Sequence, residues 1–284
     1  MLRISKISFP GLGISEFSVN SVAFTVFGID IAWYALIITF GIIACFFYVV
    51  YISKNIGLTS DDVLDLLLWA VPSGVIGARL YYVIFYDPSA FLSIKELFNI
   101  RGGGLAIYGA IILGALGVYI ACRIKKIKYF AVGDCIVPGV LLAQGIGRWG
   151  NFMNGEAFGY ETGSWIRMGL NNNLTGYATM YVHPTFLYES LWNIAGFILI
   201  TAFWKKRKYD GQIVLETFAW YGFGRFFIEG MRTDSLMLGS LRISQVVGIV
   251  AFLLCGAALI YFLVTKKEGK LFFKQKKEKK TGAD

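Results

Sequence analysis

Charged and amide side chains sit inside stretches of this chain that are otherwise apolar, and their spacing suggests a common task. The densest group runs from Gly147 to Glu156 and contains Arg148, Asn151, Asn154 and Glu156. Further along, Tyr221, Arg225 and Glu229 are each four residues apart. A helix would put these three on one face and let Arg225 pair with Glu229. Arg79 interrupts the apolar segment Gly77–Tyr82, Glu189 closes the segment His183–Glu189, and Glu216 and Arg232 flank the Tyr221 group. An ionised side chain at the centre of a bilayer costs about 2.5–3.5 kcal/mol on insertion scales, so such residues usually face a bundle interior and act there. Arginines beside Asn and Glu suit an anionic headgroup, because the planar guanidinium fork matches phosphate oxygens.

Each of these residues also has a plainer reading as a snorkelling or interface-anchoring group. Taken singly, Glu216, Arg232 and Arg79 fit that reading as well as they fit function. Arg148 with Asn151, and Arg225 with Glu229, fit function better, because both pairs fall at the same membrane side. His183 is the only histidine. A lone His before Pro is commonly a loop hydrogen-bonder, although Thr185, Tyr188 and Glu189 beside it leave a direct role open. Gly102, Gly103 and Gly104 open an apolar stretch, where glycines either bring backbone amides to an anion or serve packing. The four cysteines, Cys45, Cys122, Cys135 and Cys255, lie in or beside apolar spans without metal-ligand spacing. They read as small buried hydrophobes. No metal and no cofactor is expected.

The elements that must position these groups follow from composition. The 284 residues are 56% hydrophobic and 16% charged, against roughly 25% charged in an ordinary soluble domain. A spanning helix needs about 20 mostly apolar residues. Seven stretches meet or approach that length, at 29–52, 63–86, 104–122, 133–150, 185–204, 211–229 and 243–264. The fold class is therefore an all-α integral membrane protein of about seven transmembrane helices. Glycines in the second to fourth spans allow close helix approach, and Pro72 and Pro138 should kink their helices. Asp134 reads as a helix N-terminal acid.

The net charge of +9 does not indicate nucleic acid. Lysines and arginines gather after the third span (Arg123, Lys125, Lys126, Lys128), after the fifth (Lys205, Lys206, Arg207, Lys208) and in the tail. That distribution reads as topology control and contact with anionic lipid. It places the N-terminus outside and the C-terminus in the cytoplasm, with the segments 87–103, 151–184 and 230–242 on the outer side. Residues 1–265 then form a single polytopic membrane domain and 266–284 a basic cytoplasmic tail. Residues 1–28 lack the pattern of a signal peptide and read as an ordered or interfacial lead-in. In the long outer loop, Asn171, Asn172, Asn173, Thr175 and Gly176 signal turns.

These residues resemble the phosphatidylglycerol–prolipoprotein diacylglyceryl transferase family. The most specific part is Gly147-Arg148-Trp149-Gly150-Asn151-Phe152-Met153-Asn154-Gly155-Glu156, which looks like the family signature. Gly77-Ala78-Arg79-Leu80, Gly102 through Gly109, His183-Pro184-Thr185 with Leu187-Tyr188-Glu189, and Tyr221 through Glu229 support it in order. The resemblance implies transfer of an sn-1,2-diacylglyceryl group from phosphatidylglycerol to the lipobox cysteine of a prolipoprotein that still carries its signal peptide. A thioether forms and glycerol-1-phosphate leaves, in the bacterial cell membrane and at its outer face.

The resemblance also suggests roles. Arg148 and Arg225 hold the phosphate. Asn151, Asn154 and Glu156 orient the arginines or the glycerol, and Glu229 positions Arg225. Arg79, Gly103, Gly104, Tyr221, His183 and Glu189 join the substrate-binding set, and Tyr34 matches a family tyrosine near the lipid. Some members carry histidine in the Gly-rich segment, proposed there as a base, where this chain has Tyr108. An unperturbed tyrosine has a pKa of about 10 and is a poor base near neutral pH. Either Tyr108 donates a hydrogen bond, or the arginine field ionises the substrate thiol without a dedicated base. Two other classes fit some features. A permease also suits seven glycine-rich spans with interior charges, but no inverted repeat is visible and the polar residues cluster on one side. A lipid-binding scaffold explains the basic tail but not the embedded Arg and Glu.

Overall fold

The computed structural model describes residues 4–93, 103–234, 237–238 and 241–265. The expected cytoplasmic tail at 266–284 and Gly102 lie outside these residues. Among those described, residues up to 47 and from 136 onward form one compact unit, and those between 48 and 135 form a second.

Among the described residues, seven long helices occupy the places of the seven expected spans. They are α1 (Trp33–Ser53), α2 (Ser60–Phe85), α3 (Ile107–Ile124), α4 (Tyr129–Asn154), α5 (Thr185–Phe203), α6 (Gln212–Met231) and α7 (Ile243–Thr265). Six are long and apolar enough to cross a membrane; α6, which carries Glu216, Arg225 and Glu229, is the exception. This is a helical membrane protein. Its helix α4 begins earlier than the apolar run suggested and extends through Asn154. Asp134 is consequently not a terminal cap but lies fully buried in the second turn. Pro72 and Pro138 lie inside α2 and α4.

The second unit shows why its glycines matter. α2 and α3 pack antiparallel, and a Cβ at Gly77 or Gly109 would run into the backbone of the other helix. At the far end of the pair, the Lys125 ammonium bridges Asp65 at 2.6 Å and Asp62 at 2.9 Å. The Asp65 and Asp62 carboxylates push the Lys125 pKa up to about 12. A capping box between Thr59 and Asp62 starts α2.

The first unit contains β-structure that the apolar pattern did not reveal. Strands β1 (Ile4–Phe9), β2 (Ile14–Asn20), β5 (Met168–Asn171) and β6 (Met180–Val182) form a sheet in the order β2-β1-β5-β6, with antiparallel neighbours. Ser5, Ile7 and Phe9 alternate inward along β1. Ile7, Phe9, Val19, Met168, Leu170, Val182 and Phe186 build a small core, against which Phe152 and Met153 of α4 pack. The sheet thus rests on the end of α4 that holds the Gly147–Glu156 segment. A separate hairpin, β3 (Val22–Val26) and β4 (Ile29–Ala32), leads directly into α1. β7 (Met237–Leu238) and β8 (Leu241–Arg242) precede α7.

Candidate functional site

The site is assembled in the first unit from the end of α4, the start of α5 and the second half of α6. At its centre is Glu189, whose side chain is 3% exposed. Its Oε1 lies 2.7 Å from Arg148 Nη2, and Arg225 Nη1 donates to Oε2 at 3.0 Å and to Oε1 at 3.2 Å. One carboxylate therefore ties an arginine of α4 to an arginine of α6. Arg232 Nη1 approaches Oε2 at 4.0 Å. The expected helical pair is present as well, with Arg225 Nη2 2.6 Å from Glu229 Oε2. Arg148 and Arg225 are held by Glu189 and Glu229, while Arg232 is paired mainly with Asp234 at 2.9 Å.

A second chain of contacts runs along the Gly147–Glu156 segment. Arg148 Nη1 donates to Asn151 Oδ1 at 3.3 Å. The amides of Asn151 and Asn154 donate to Glu156 Oε1 at 3.2 and 2.9 Å. Glu156 reaches back to both because the chain reverses at Gly155, whose φ is +60°. This left-handed residue ends α4 in the manner of a helix cap. The space beside it is filled by Ser5 and Asn172. Asn172 donates to the Gly155 carbonyl at 2.8 Å and to Ser5 Oγ at 3.1 Å. Its own Oδ1 accepts from Leu174 and Thr175, forming the turn that the Asn-rich run suggested. The sheet and this turn therefore brace the reversal that aims Glu156.

Other expected residues fall nearby. Tyr34, in the first turn of α1, occupies the space that a Cβ on Gly150 would need. Tyr221 lies one turn before Arg225 and feels the charges of Glu189, Arg225, Arg148 and Glu229. His183 Nδ1 lies 3.2 Å from the Tyr188 hydroxyl. The His183 backbone exchanges hydrogen bonds with Gly159 and Tyr160. Among the described contacts, His183 is a loop-fixing residue and does not touch the arginines.

Arg79, Gly103, Gly104 and Tyr108 belong to the second unit. Arg79 is buried, and its Nη1 donates to the carbonyls of Gly103 and Gly104 at 3.1 and 3.0 Å. Both glycines have positive φ, 90° and 70°. The glycine turn thus presents carbonyls to Arg79, where the sequence suggested amides for an anion. Tyr108 sits in the first turn of α3 with its ring 6.2 Å from that of Tyr81.

Two participants lie beyond the groups singled out from sequence. Asp234 receives a forked contact from Arg232 at 3.0 and 2.9 Å. Burial raises its carboxyl pKa, but the Arg232 hydrogen bonds and charge outweigh that and hold it below the usual carboxylate range. Arg242 is buried and donates to the carbonyls of Gly230 and Arg232, and to the Tyr160 hydroxyl. The short Arg232-Thr233-Asp234 spacing signals the first contact. Nothing local signals the second, which depends on the turn between α6 and α7.

Comparison with known proteins gives the family of the chain. Residues 21–262 match the family model described as prolipoprotein diacylglyceryl transferase. A phosphatidylglycerol–prolipoprotein diacylglyceryl transferase of Clostridioides difficile is 43% identical over 248 residues, covering 87% of this chain and 96% of the relative. One of the same name from Enterococcus faecalis is 42% identical over 274 residues, covering 92% and 96%. A third, from Finegoldia magna, is 43% identical over 244 residues, covering 84% and 94%.

Proposed function

We propose, because the chain belongs to the prolipoprotein diacylglyceryl transferase family, that it moves the sn-1,2-diacylglyceryl group of phosphatidylglycerol onto the lipobox cysteine of a prolipoprotein. This is the first step of bacterial lipoprotein maturation. The observation that carries the reading is the pairing of Arg148 and Arg225 through Glu189. It holds two guanidiniums from different helices where a single phosphate can meet both.

The bond changes fix what the site must supply. The cysteine sulfur forms a bond to the glyceryl carbon that carried the phosphate. The bond from that carbon to phosphate oxygen breaks, and its electron pair stays with the departing glycerol-1-phosphate. The thiol proton passes to water or to the departing phosphate monoester. Phosphate goes from diester to monoester, so negative charge grows on it as the bond breaks. Arg148 and Arg225 stabilise that charge, and preorganised cations in a dry site act there without reorganising. Glu189 and Glu229 hold the arginines. Asn151, Asn154 and Glu156 orient Arg148 and the glycerol end of the headgroup.

The nucleophile arrives with the substrate, and a thiolate forms most readily in an electropositive setting. Tyr108 acts as a hydrogen-bond donor in this reading, with Arg79 and the glycine turn in the substrate-binding set. The helices run with the N-terminus outside and the C-terminus in the cytoplasm, so the arginine cluster faces the outer leaflet, where the prolipoprotein emerges. The signal peptide remains in place for a later peptidase. The direct test uses Arg148→Ala and Arg225→Ala proteins, which should insert normally but leave the mass of a lipobox peptide unchanged in phosphatidylglycerol vesicles. Full activity in the Arg148 variant would refute the assignment.

A further inference from the structure

The hairpin of β3 and β4 closes through two residues, Phe27 and Gly28, with φ of 48° and 76°. Two left-handed residues in succession make the turn that matches strand twist, and its first position normally takes Asn, Asp or Gly. Here it holds a phenylalanine that is 101% exposed. Register sets Phe24 opposite Ile31, Thr25 opposite Asp30 and Val26 opposite Ile29. Paired residues share a face and successive ones alternate. One face is therefore Phe24, Val26, Ile29 and Ile31, and the other is Thr25 and Asp30, joined by a 2.6 Å hydrogen bond. Phe24, Val26 and Ile29 are exposed.

The base of the hairpin is fixed to a spanning helix. β4 ends at Ala32 and α1 begins at Trp33, whose N–H donates to the Ser21 carbonyl at 2.9 Å. No linker separates the hairpin from the membrane boundary. Aromatic residues such as Trp33 favour that boundary. An apolar face and an aromatic tip held there, with a polar face behind, match the division of an interfacial element.

We propose that this hairpin is a lipid anchor. Phe27 and the Phe24–Val26–Ile29–Ile31 face lie in the headgroup–acyl boundary of the leaflet where α1 starts, and Thr25 with Asp30 faces water. The anchor fixes the depth of the first turn of α1, and with it Tyr34 beside Gly150. It stands on the hairpin and on α1 spanning the bilayer, independently of the proposed reaction.

The test uses the full chain in phosphatidylcholine–phosphatidylglycerol vesicles, with its four native cysteines changed to alanine and single cysteines placed at Phe27, Phe24 or Thr25. Each carries an environment-sensitive fluorophore. At Phe27→Cys and Phe24→Cys, emission should shift to the blue and be quenched by lipids bearing a shallow acyl-chain spin label. Thr25→Cys should be quenched by aqueous iodide instead. A label-free check is Phe27→Trp with the native cysteines kept, which should add tryptophan emission that brominated lipid quenches. Water-like emission at Phe27 would overturn the proposal. So would blue-shifted emission that no lipid quencher reaches, because a protein contact would then cover the tip.

Discussion

Trp192 and Trp220 hydrogen-bond to each other's backbone. Each indole N–H reaches the other residue's carbonyl, at 3.1 and 3.0 Å, and the rings stack with centroids 4.3 Å apart. Trp192 sits where a Cβ on Gly224 would go, and Trp220 where one on Gly196 would go. This reciprocal clasp joins α5 to α6 within about one turn of Glu189 and Arg225. It fixes the separation at which the Glu189 carboxylate of α5 reaches Arg225 of α6.

Adding bulk to the clasp should therefore disturb the site without touching it. Gly224→Val should destabilise the protein by about 1–3 kcal/mol, the usual cost of overpacking. Transfer should fall with it. Thermal unfolding in detergent and a lipobox-peptide assay check the pair. Unchanged melting would mean that the indoles move aside freely.

Glu189→Gln should be more damaging than its single lost charge suggests. Leaving buried guanidiniums without their partner costs about 3–5 kcal/mol. Because Glu189 acts through Arg148 and Arg225, turnover should fall about 10- to 100-fold, as when a group orienting functional side chains is lost. Glu189→Asp should recover part of it. A Gln variant with normal kcat and KM would remove Glu189 from the positioning role.

Gly155→Ala tests the brace between sheet and site. A side chain there needs an unfavourable left-handed backbone, at about 1–3 kcal/mol, and meets Ser5 and Asn172. Glu156 should lose its grip on Asn151 and Asn154, and transfer should drop. The control Gly13→Ala has a similar φ of 72° but open space beside it, and should leave transfer unchanged. Equal losses in both variants would point to a general folding defect.

Tyr108→Phe separates two accounts of the thiol. If the tyrosine hydroxyl makes an essential contact, turnover should fall sharply while the protein remains folded. Near-normal turnover measured across pH 6–9, a range bracketing the unperturbed cysteine pKa of about 8.5, would leave ionisation to the arginine field alone.

The helices were legible because apolar runs of spanning length have few alternatives. Their ends were less so. The run suggested that α4 stops near residue 150, yet the helix continues through Asn154 because Phe152 and Met153 pack on the sheet core. That sheet escaped detection because β1 finds β5 across more than half the chain. Arg225 and Glu229 could be paired from their spacing alone. Glu189 as the bridge between Arg148 and Arg225 could not, because such a bridge depends on how three helices meet. Tertiary packing also gave Arg79 its glycine carbonyls and Arg242 its place behind Arg232.

The pairing of β1 with β5 also sets an order of events during synthesis. Lys6 lies opposite Asn171, and Ile7 opposite Leu170. At about 5–20 residues per second, roughly 10–30 s of elongation separate the two strands. β1 and β2 are made early, yet one edge of β1 stays open until α1 to α4 have been made and β5 follows. The Asn172 contacts that hold Gly155 close only then. The wall carrying Glu156 thus sets only after four of the long helices have been made, with Glu189 and Arg225 still to follow. The nascent chain therefore passes through most of its insertion before it can hold a headgroup.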